Sequence, residues 1–413
     1  MKILFLAHRT PYPPNKGEKI RAFNLLSHLV KIHDVTLVYW VDDPRDLVYT
    51  PVLKTLCRGL VLPVRMNRYL AIFRAAISLL KGCSFTQGFC GSSFFDRAVH
   101  LALRDGPFDA VFVFSSAMAA YAEKIECKTK IVDFVDVDSD KWGQLAEISQ
   151  FPMSLLYRLE QKRLLQFENH ISTWSSSNIF VSPADADLYR KQGGTGVIEV
   201  VPMCTELEVI RLPLKQMPYE GGKGDKDKSF GNPKLIFIGT LNYYPNADAV
   251  LYFAQEIFPL IRREFPKIQF EIVGRSPTNS VRQLNSIDGV HVVGEVPDVR
   301  CYLIQADVSV APMRIARGVQ SKVLEAMGLG VPVVATPAAI QGIEVCDGEE
   351  VLVGNNPEEF AIRVISLLKD AELRKRITKN AWNKMRQLYT ADAIGAKLDK
   401  ILARVSIEKS ITA

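Results

Sequence analysis

The sequence predicts an α/β protein built from two successive doubly wound, Rossmann-like domains, and three features carry that expectation. The chain has 413 residues, too many for one hydrophobic core and enough for two domains of about 200 residues each. Short apolar runs alternate with helical periodicity in both halves, the pattern of strand-helix-strand units around a parallel sheet. Between the halves, residues 220–228 (EGGKGDKDK) are polar and glycine-rich, the composition of a linker.

The elements follow in order. Ile3 to Ala7 reads as a buried strand, followed by a Pro-rich loop (10–17) and an amphipathic helix from Ile20 to Val30. Further strands are expected at 34–40, 109–114, 130–135, 178–181 and 198–201. The second half restarts with strands at 235–238, 269–273, 290–293, 308–311 and 331–335. From Pro357 the pattern is nearly all helical, and 392–405 forms a last helix with no strand after it. The expected layout is a first domain over 1–215, a linker over 216–233, a second domain over 234–390 and a C-terminal helix over 391–413. A ligand would sit between the two domains, near the carboxyl ends of their strands.

Composition narrows the class. Hydrophobic residues make up 48% and charged residues 23%, an ordinary globular balance. A net charge of +6 favours phosphates, nucleotides or acidic lipids and does not by itself imply nucleic acid. The seven cysteines are scattered without Cys-x-x-Cys pairs, which reads as reduced thiols in a cytoplasmic protein. The apolar start is too short for a signal-peptide core, and no run approaches the roughly 20 apolar residues of a membrane span. The expectation is a soluble protein, at most peripheral to the inner face of the cytoplasmic membrane. Oligomeric state is not legible.

The densest signal runs from Arg317 to Val334 (RGVQSKVLEAMGLGVPVV): a loop, a short helix from about Ser321, a glycine break and a buried strand. A helix N-terminus offers unpaired N–H groups and partial positive charge to a phosphate. Ser321 adds a hydroxyl and Lys322 a cation. Glu325 lies one turn from Ser321 on the same face, where a carboxylate can accept both hydroxyls of a ribose. A nucleoside diphosphate fits that arrangement. From spacing alone, an ordinary helix with Lys and Glu on a solvated face explains it as well.

The run Ser-Lys-x-x-Glu followed by Gly-x-Pro-Val-Val resembles the donor-binding signature of family 4 retaining glycosyltransferases, of the two-domain GT-B type. Other segments resemble that domain in order: 237–246 its first strand and loop, 270–275 its second, 289–296 the loop beside the nucleobase, and 306–312 the strand leading into the main motif. The likeness is greatest to the sugar transferases associated with PEP-CTERM/exosortase and bacterial exopolysaccharide clusters, where a segment like Asp136–Trp142 is also typical. The resemblance implies a GT-B fold whose C-terminal helix crosses back to the first domain. It also implies a hexosyltransferase acting on a nucleotide-sugar, with a UDP-sugar favoured and a GDP-sugar the other candidate. Its donor site would comprise Gly17, Gly239, Thr240, Asn246, Arg275, Val296, Arg314, Arg317, Gly318, Ser321, Lys322 and Glu325. Two departures stand out. Arg317 occupies the position where many family members carry a Glu that holds the donor sugar, and Asn242–Asn246 replaces a Lys-Gly that supplies a phosphate cation. Lys322 with Arg314 or Arg317 would restore that charge.

In the first half, Gly17 follows the first strand in a loop expected to approach a ligand, with Lys19 and Arg21 extending a positive rim. Asp136 and Asp138 resemble the Asp-x-Asp metal signature of another glycosyltransferase class, but the pattern is weak and recurs at Asp185 and Asp187. The expectation is no metal and no cofactor. Asp136 is instead read as a cleft residue grouped with Lys322 and Glu325 as catalytic, while Asp138 and Lys141 join Lys19 and Arg21 on the acceptor side. None of the six histidines is singled out, and His28 and His33 are read as structural.

Residues 54–81 contain Lys54, Arg58, Arg65, Arg68, Arg74 and Lys81 and no acid, around the apolar stretch Tyr69–Leu80. Such a segment suits docking on an anionic membrane, where a polyprenyl-linked acceptor would reside; a buried helix with solvated arginines explains it equally. By the resemblance, the chain moves sugar to a glycan or polyprenyl-linked acceptor hydroxyl with retention, in exopolysaccharide or surface-glycan synthesis. The competitors are a nucleotide-sugar 2-epimerase of the same architecture and a catalytically silent sugar-nucleotide-binding subunit.

Overall fold

The computed structural model describes residues 1–14, 17–204, 232–316 and 318–411. Asn15, Lys16, Arg317 and all but the last two positions of the expected linker lie outside the described residues. The chain divides into two compact units, Met1–Cys204 together with Ile394–Ala413, and Thr205–Ala393.

The first unit carries a seven-stranded sheet in the order β3-β2-β1-β4-β5-β6-β7, every pairing parallel. Its strands are β1 Lys2–Ala7, β2 Asp34–Val41, β3 Val61–Arg65, β4 Ala110–Phe114, β5 Thr129–Val135, β6 Ser177–Phe180 and β7 Ile198–Val200. Helices cover both faces of such a sheet, so its central strands are continuously apolar. Ile3 through Ala7 and the whole of β4 are buried. Strand β3 escapes sequence reading because Pro63 and its half-exposed neighbours mask it, and Pro is tolerated because β3 is an edge.

The second unit carries a six-stranded parallel sheet, β10-β9-β8-β11-β12-β13. Its strands are β8 Lys234–Ile238, β9 Gln269–Val273, β10 Val290–Gly294, β11 Val308–Ala311, β12 Val333–Ala335 and β13 Leu352–Val353. Pro332 delays the start of β12 to Val333, and the two-residue β13 is too short to show a period. The helical tail comprises Pro357–Lys369, Ala371–Leu388 and Ala391–Ile411.

The last helix packs within the first unit. Asp399 lies 2.9 Å from Nε2 of His28, and Arg404 pairs with Glu199 at 2.5 Å. His28 is structural in this sense.

Each sheet reverses its winding at one place, between β1 and β4 in the first unit and between β8 and β11 in the second. In open α/β sheets the crevice above the carboxyl ends of such strands is where ligands bind. In the second unit that crevice is bordered by the loops after β8 and β11.

Candidate functional site

In the second unit, those two loops meet at Lys322. The helix Ser321–Gly328 starts after the β11 loop and buries Lys322, Val323, Leu324, Ala326 and Met327. Ser321 is exposed and Glu325 half-buried, one turn apart on the outer face, while Lys322 points inward. Lys322 Nζ donates to Asn246 Oδ1 at 2.5 Å and lies 3.5 Å from Met313 Sδ. It also stands 4.5 Å from the centre of the Phe237 ring. These partners are neutral, so burial dominates and pulls the ammonium down to about 7, with Glu325 opposing the shift. The N-cap residue Gln320 makes no side-chain capping bond to this helix, and its carbonyl accepts from Val323 N at 3.0 Å.

Asn246 belongs to the β8 loop and is itself held. Its Nδ2 donates to Thr240 O at 3.0 Å, and its backbone N–H donates to Tyr243 O. Gly239 sits tightly beneath it, since a β-carbon there would lie 2.8 Å from Asn246 Nδ2. The same glycine is crossed by the β9 loop: a β-carbon on Gly274 would fall 1.7 Å from Gly239 O, so only glycine permits the approach. Thr240, Asn246 and Lys322 thus form one hydrogen-bonded group, with Gly239 packed closely against Asn246. Arg275 is exposed beside them, its carbonyl accepting from Leu241 N at 2.9 Å. Val296 is half-buried against the core, and Gly318 holds a left-handed φ of 63° just before the helix.

Arg314, expected to supply charge toward the phosphate together with Lys322, is ion-paired. Its guanidinium forks onto Asp248, with Nε 3.0 Å and Nη2 2.5 Å from the carboxylate oxygens, and it stacks 4.8 Å from the Tyr252 ring centre. Asp248 compensates its charge. Arg317 lies outside the described residues.

In the first unit the expected positive rim is turned inward. Lys19 is buried against Asp46 at 2.6 Å. Arg21 is fully buried and forks onto Asp133 at 2.8 and 3.0 Å, and Nη1 also donates to the carbonyls of Val201 and Pro202. Both face inward because the first helix packs that side on the sheet, and a buried charge needs a partner. Gly17, which starts this helix, is exposed.

The Arg21–Asp133 pair supports the loop after β5. Asp133 Oδ1 also accepts from Val135 N at 3.1 Å, and Val135 adopts φ 69°, a strained conformation for a β-branched residue. The turn presents Asp136 and Asp138, and Lys141 bridges them at 2.7 and 2.9 Å. Behind it, Glu168 is buried and accepts from Ser139 N at 3.2 Å and Ser139 Oγ at 2.5 Å. Burial pushes its carboxyl up to about 8. The second Asp-x-Asp is used locally, Asp187 pairing with Arg190 at 2.8 Å. Among the described residues no group of three or more His, Cys, Asp or Glu is placed to hold a metal ion.

His8 is the residue the sequence did not reveal. It follows β1 at the switch point, stacks on Phe114 with ring centres 5.5 Å apart, and its Nε2 lies 3.3 Å from Glu18. The Glu18 carboxyl is held down at about 2, first by His8 and also by Arg9. Its position one residue past the first strand was the available signal.

Comparison with known proteins agrees with this architecture. Residues 232–370 match the family model for glycosyl transferases group 1. An uncharacterized 44.6 kDa protein in the cps region of Klebsiella pneumoniae is 19% identical over 97% of this chain and 99% of its own. Among solved structures, sucrose-phosphate synthase from Thermosynechococcus elongatus superposes with a TM-score of 0.67 at 15% identity, covering 99% of this chain and 100% of that one. Anabaena HepE, solved in complex with UDP, gives 0.65 at 14%, covering 98% and 100%. With a group 1 glycosyl transferase domain over 232–370 and two Rossmann-like domains of the GT-B fold, the chain is a glycosyltransferase.

Proposed function

We propose that the chain transfers a sugar, with retained anomeric configuration, from a UDP-sugar to an acceptor hydroxyl in exopolysaccharide or surface-glycan synthesis. The observation that carries this reading is the Lys322–Asn246 group beneath the N-terminus of the helix Ser321–Gly328. It gathers a buried cation, backbone N–H donors and the Glu325 carboxylate at a sheet's switch point. HepE has been solved with UDP-glucose as well as UDP, which favours uridine. The relative in a cps region favours a polysaccharide product. The likeness of the donor motif to family 4 enzymes, and to the PEP-CTERM-associated subgroup, supports retention.

On this reading, Lys322, Ser321 and the helix end stabilise the departing diphosphate, and Glu325 holds the ribose. The sugar–oxygen bond to the β-phosphate breaks as the acceptor oxygen bonds the anomeric carbon. The acceptor proton passes to the leaving phosphate. Asp138 and Lys141 are proposed on the acceptor side, Asp136 beside them as a catalytic residue, and Gly17 on the donor side. Segment 54–81 is read as a contact with the anionic inner face of the cytoplasmic membrane, where a polyprenyl-linked acceptor would be met. Consistent with a peripheral contact, no described helix is long and apolar enough to cross a bilayer.

A thermal-shift panel of UDP, GDP, ADP and their sugars tests the donor. UDP and a UDP-sugar should raise the melting temperature. Stabilisation by GDP or ADP alone would overturn the assignment.

A further inference from the structure

Two neighbouring helices of the first unit expose apolar faces beside basic side chains. In Arg68–Leu80 only Ala71 and Ala75 are buried, and on that side Ser78 Oγ donates to Ser84 O at 3.0 Å. Tyr69, Ile72, Phe73 and Leu80 follow at spacings of three, four and eleven from the first, so they share the opposite face. That face is open: Tyr69 is 87% exposed, Phe73 64% and Leu80 89%. A buried helix, the other reading of this stretch, does not fit these values. Arg68 and Lys81 are exposed at its two ends.

The second helix, Met153–Trp174, buries Glu160, Leu164, Phe167, Glu168 and Ile171. Its first turns instead expose Leu155, Leu156 and Leu159, with Phe151 just before them 81% exposed. Arg158 and Lys162 are exposed among them. The one acid in 149–166 is Glu160, which is taken up internally. It accepts from Phe85 N and from Thr86 N and Oγ1 (2.9 and 2.8 Å) at the start of the helix Phe85–Cys90. Arg163, one turn past Leu159, donates to Leu79 O at 2.5 Å and Cys83 O at 3.2 Å, joining the second helix to the end of the first.

We propose that the first half of Met153–Trp174 is a second membrane-inserting element, forming with Arg68–Leu80 one docking surface for an anionic monolayer. The inference rests on the membrane reading of 54–81 and extends it to a part of the chain with no such sequence signal. Charge and shape both support it. Both faces carry large apolar tips, flanking Arg and Lys and no exposed acid, which matches acyl chains bordered by anionic headgroups. Two such helices, joined by Arg163 and with Glu160 tying the second to the adjoining helix Phe85–Cys90, would fix the enzyme's orientation on the surface, where one helix would leave it free to roll.

The test is flotation of the full chain with phosphatidylcholine vesicles, with and without phosphatidylglycerol. Wild type should float only with the anionic vesicles. L155S/L156S/L159S should lose about tenfold or more of that binding, as should Y69S/F73S/L80S, while UDP-induced thermal stabilisation stays unchanged. R158E/K162E is a milder variant that should also weaken binding. Wild type that ignores anionic vesicles would remove the membrane reading and this inference together. Wild-type binding that survives both changes in the second helix would overturn this inference and leave 54–81 as the contact. A stable dimer in light scattering, dissociated by L155S/L156S/L159S, would assign the face to a second copy of the chain and also overturn it.

Discussion

Lys322 and Asn246 are joined by a 2.5 Å hydrogen bond between residues 76 positions apart. The bond ties the loop after β8 to the helix after β11, so the two sides of the switch point act as one group. The cation is held among neutral partners, and its charge state becomes sensitive to what binds beside it.

That sensitivity sets a pH dependence. Burial lowers Lys322 from its ordinary 10.5 to about 7. A diphosphate alongside would favour the charged form, so above about pH 7 binding UDP takes up a proton. UDP affinity should decline from pH 7 to 9, and calorimetry in buffers of different ionisation enthalpy should register the proton. For the unliganded protein the sign is opposite. Between about 7 and 10.5 the unfolded chain holds the extra proton, so stability rises with pH across that window. K322M should flatten both dependences.

Glu325 is expected to matter for transfer rather than for folding. It is half-buried on the outer face of its helix, so E325A should leave the melting temperature within a few degrees while lowering transfer about 100-fold. Near-wild-type turnover would remove Glu325 from the site.

Gly239→Ala tests whether the loop geometry is needed. The added carbon would stand 2.8 Å from Asn246 Nδ2 and 3.1 Å from its Cγ, forcing that side chain off Lys322. UDP affinity should fall about tenfold, with a stability loss of about 1–3 kcal/mol. A calorimetric titration showing unchanged affinity would mean that Asn246 does not position the lysine.

Arg21→Met should act on stability. It strands a fully buried Asp133 beside the strained Val135 turn, and breaking such a pair costs about 3–5 kcal/mol in urea unfolding. Adding Asp133→Asn should recover part of that loss, since an uncharged group is cheaper to leave in place.

Glu168 supplies a pH test of the loop 136–141. Burial raises its carboxyl from 4.5 to about 8, so the stability it contributes is fully present below 4.5 and lost as pH rises through about 8. E168Q should narrow the difference in melting temperature between pH 5 and pH 9. An unaltered difference would place the titrating group elsewhere.

The amino-acid sequence by itself determined the two parallel sheets and the helix at Ser321, because apolar runs buried on both faces and a motif of local spacing are written in consecutive residues. The central strands β1, β4, β8 and β11 are of this kind. Of the four edge strands, β7 and β10 were legible, but Pro63 obscures β3 and β13 is two residues long. Polarity also misled where burial decides. Arg21 and Lys19 read as a solvated rim because charge is usually exposed, yet each meets a carboxylate 112 or 27 residues away. Arg314 likewise meets Asp248, and His8 gains its neighbours only when β1 and β4 pair. Tertiary structure alone decided these partners, and with them the charge state of Lys322. Desolvation and ion pairing depend on which distant segments a fold brings together, and no local pattern encodes that.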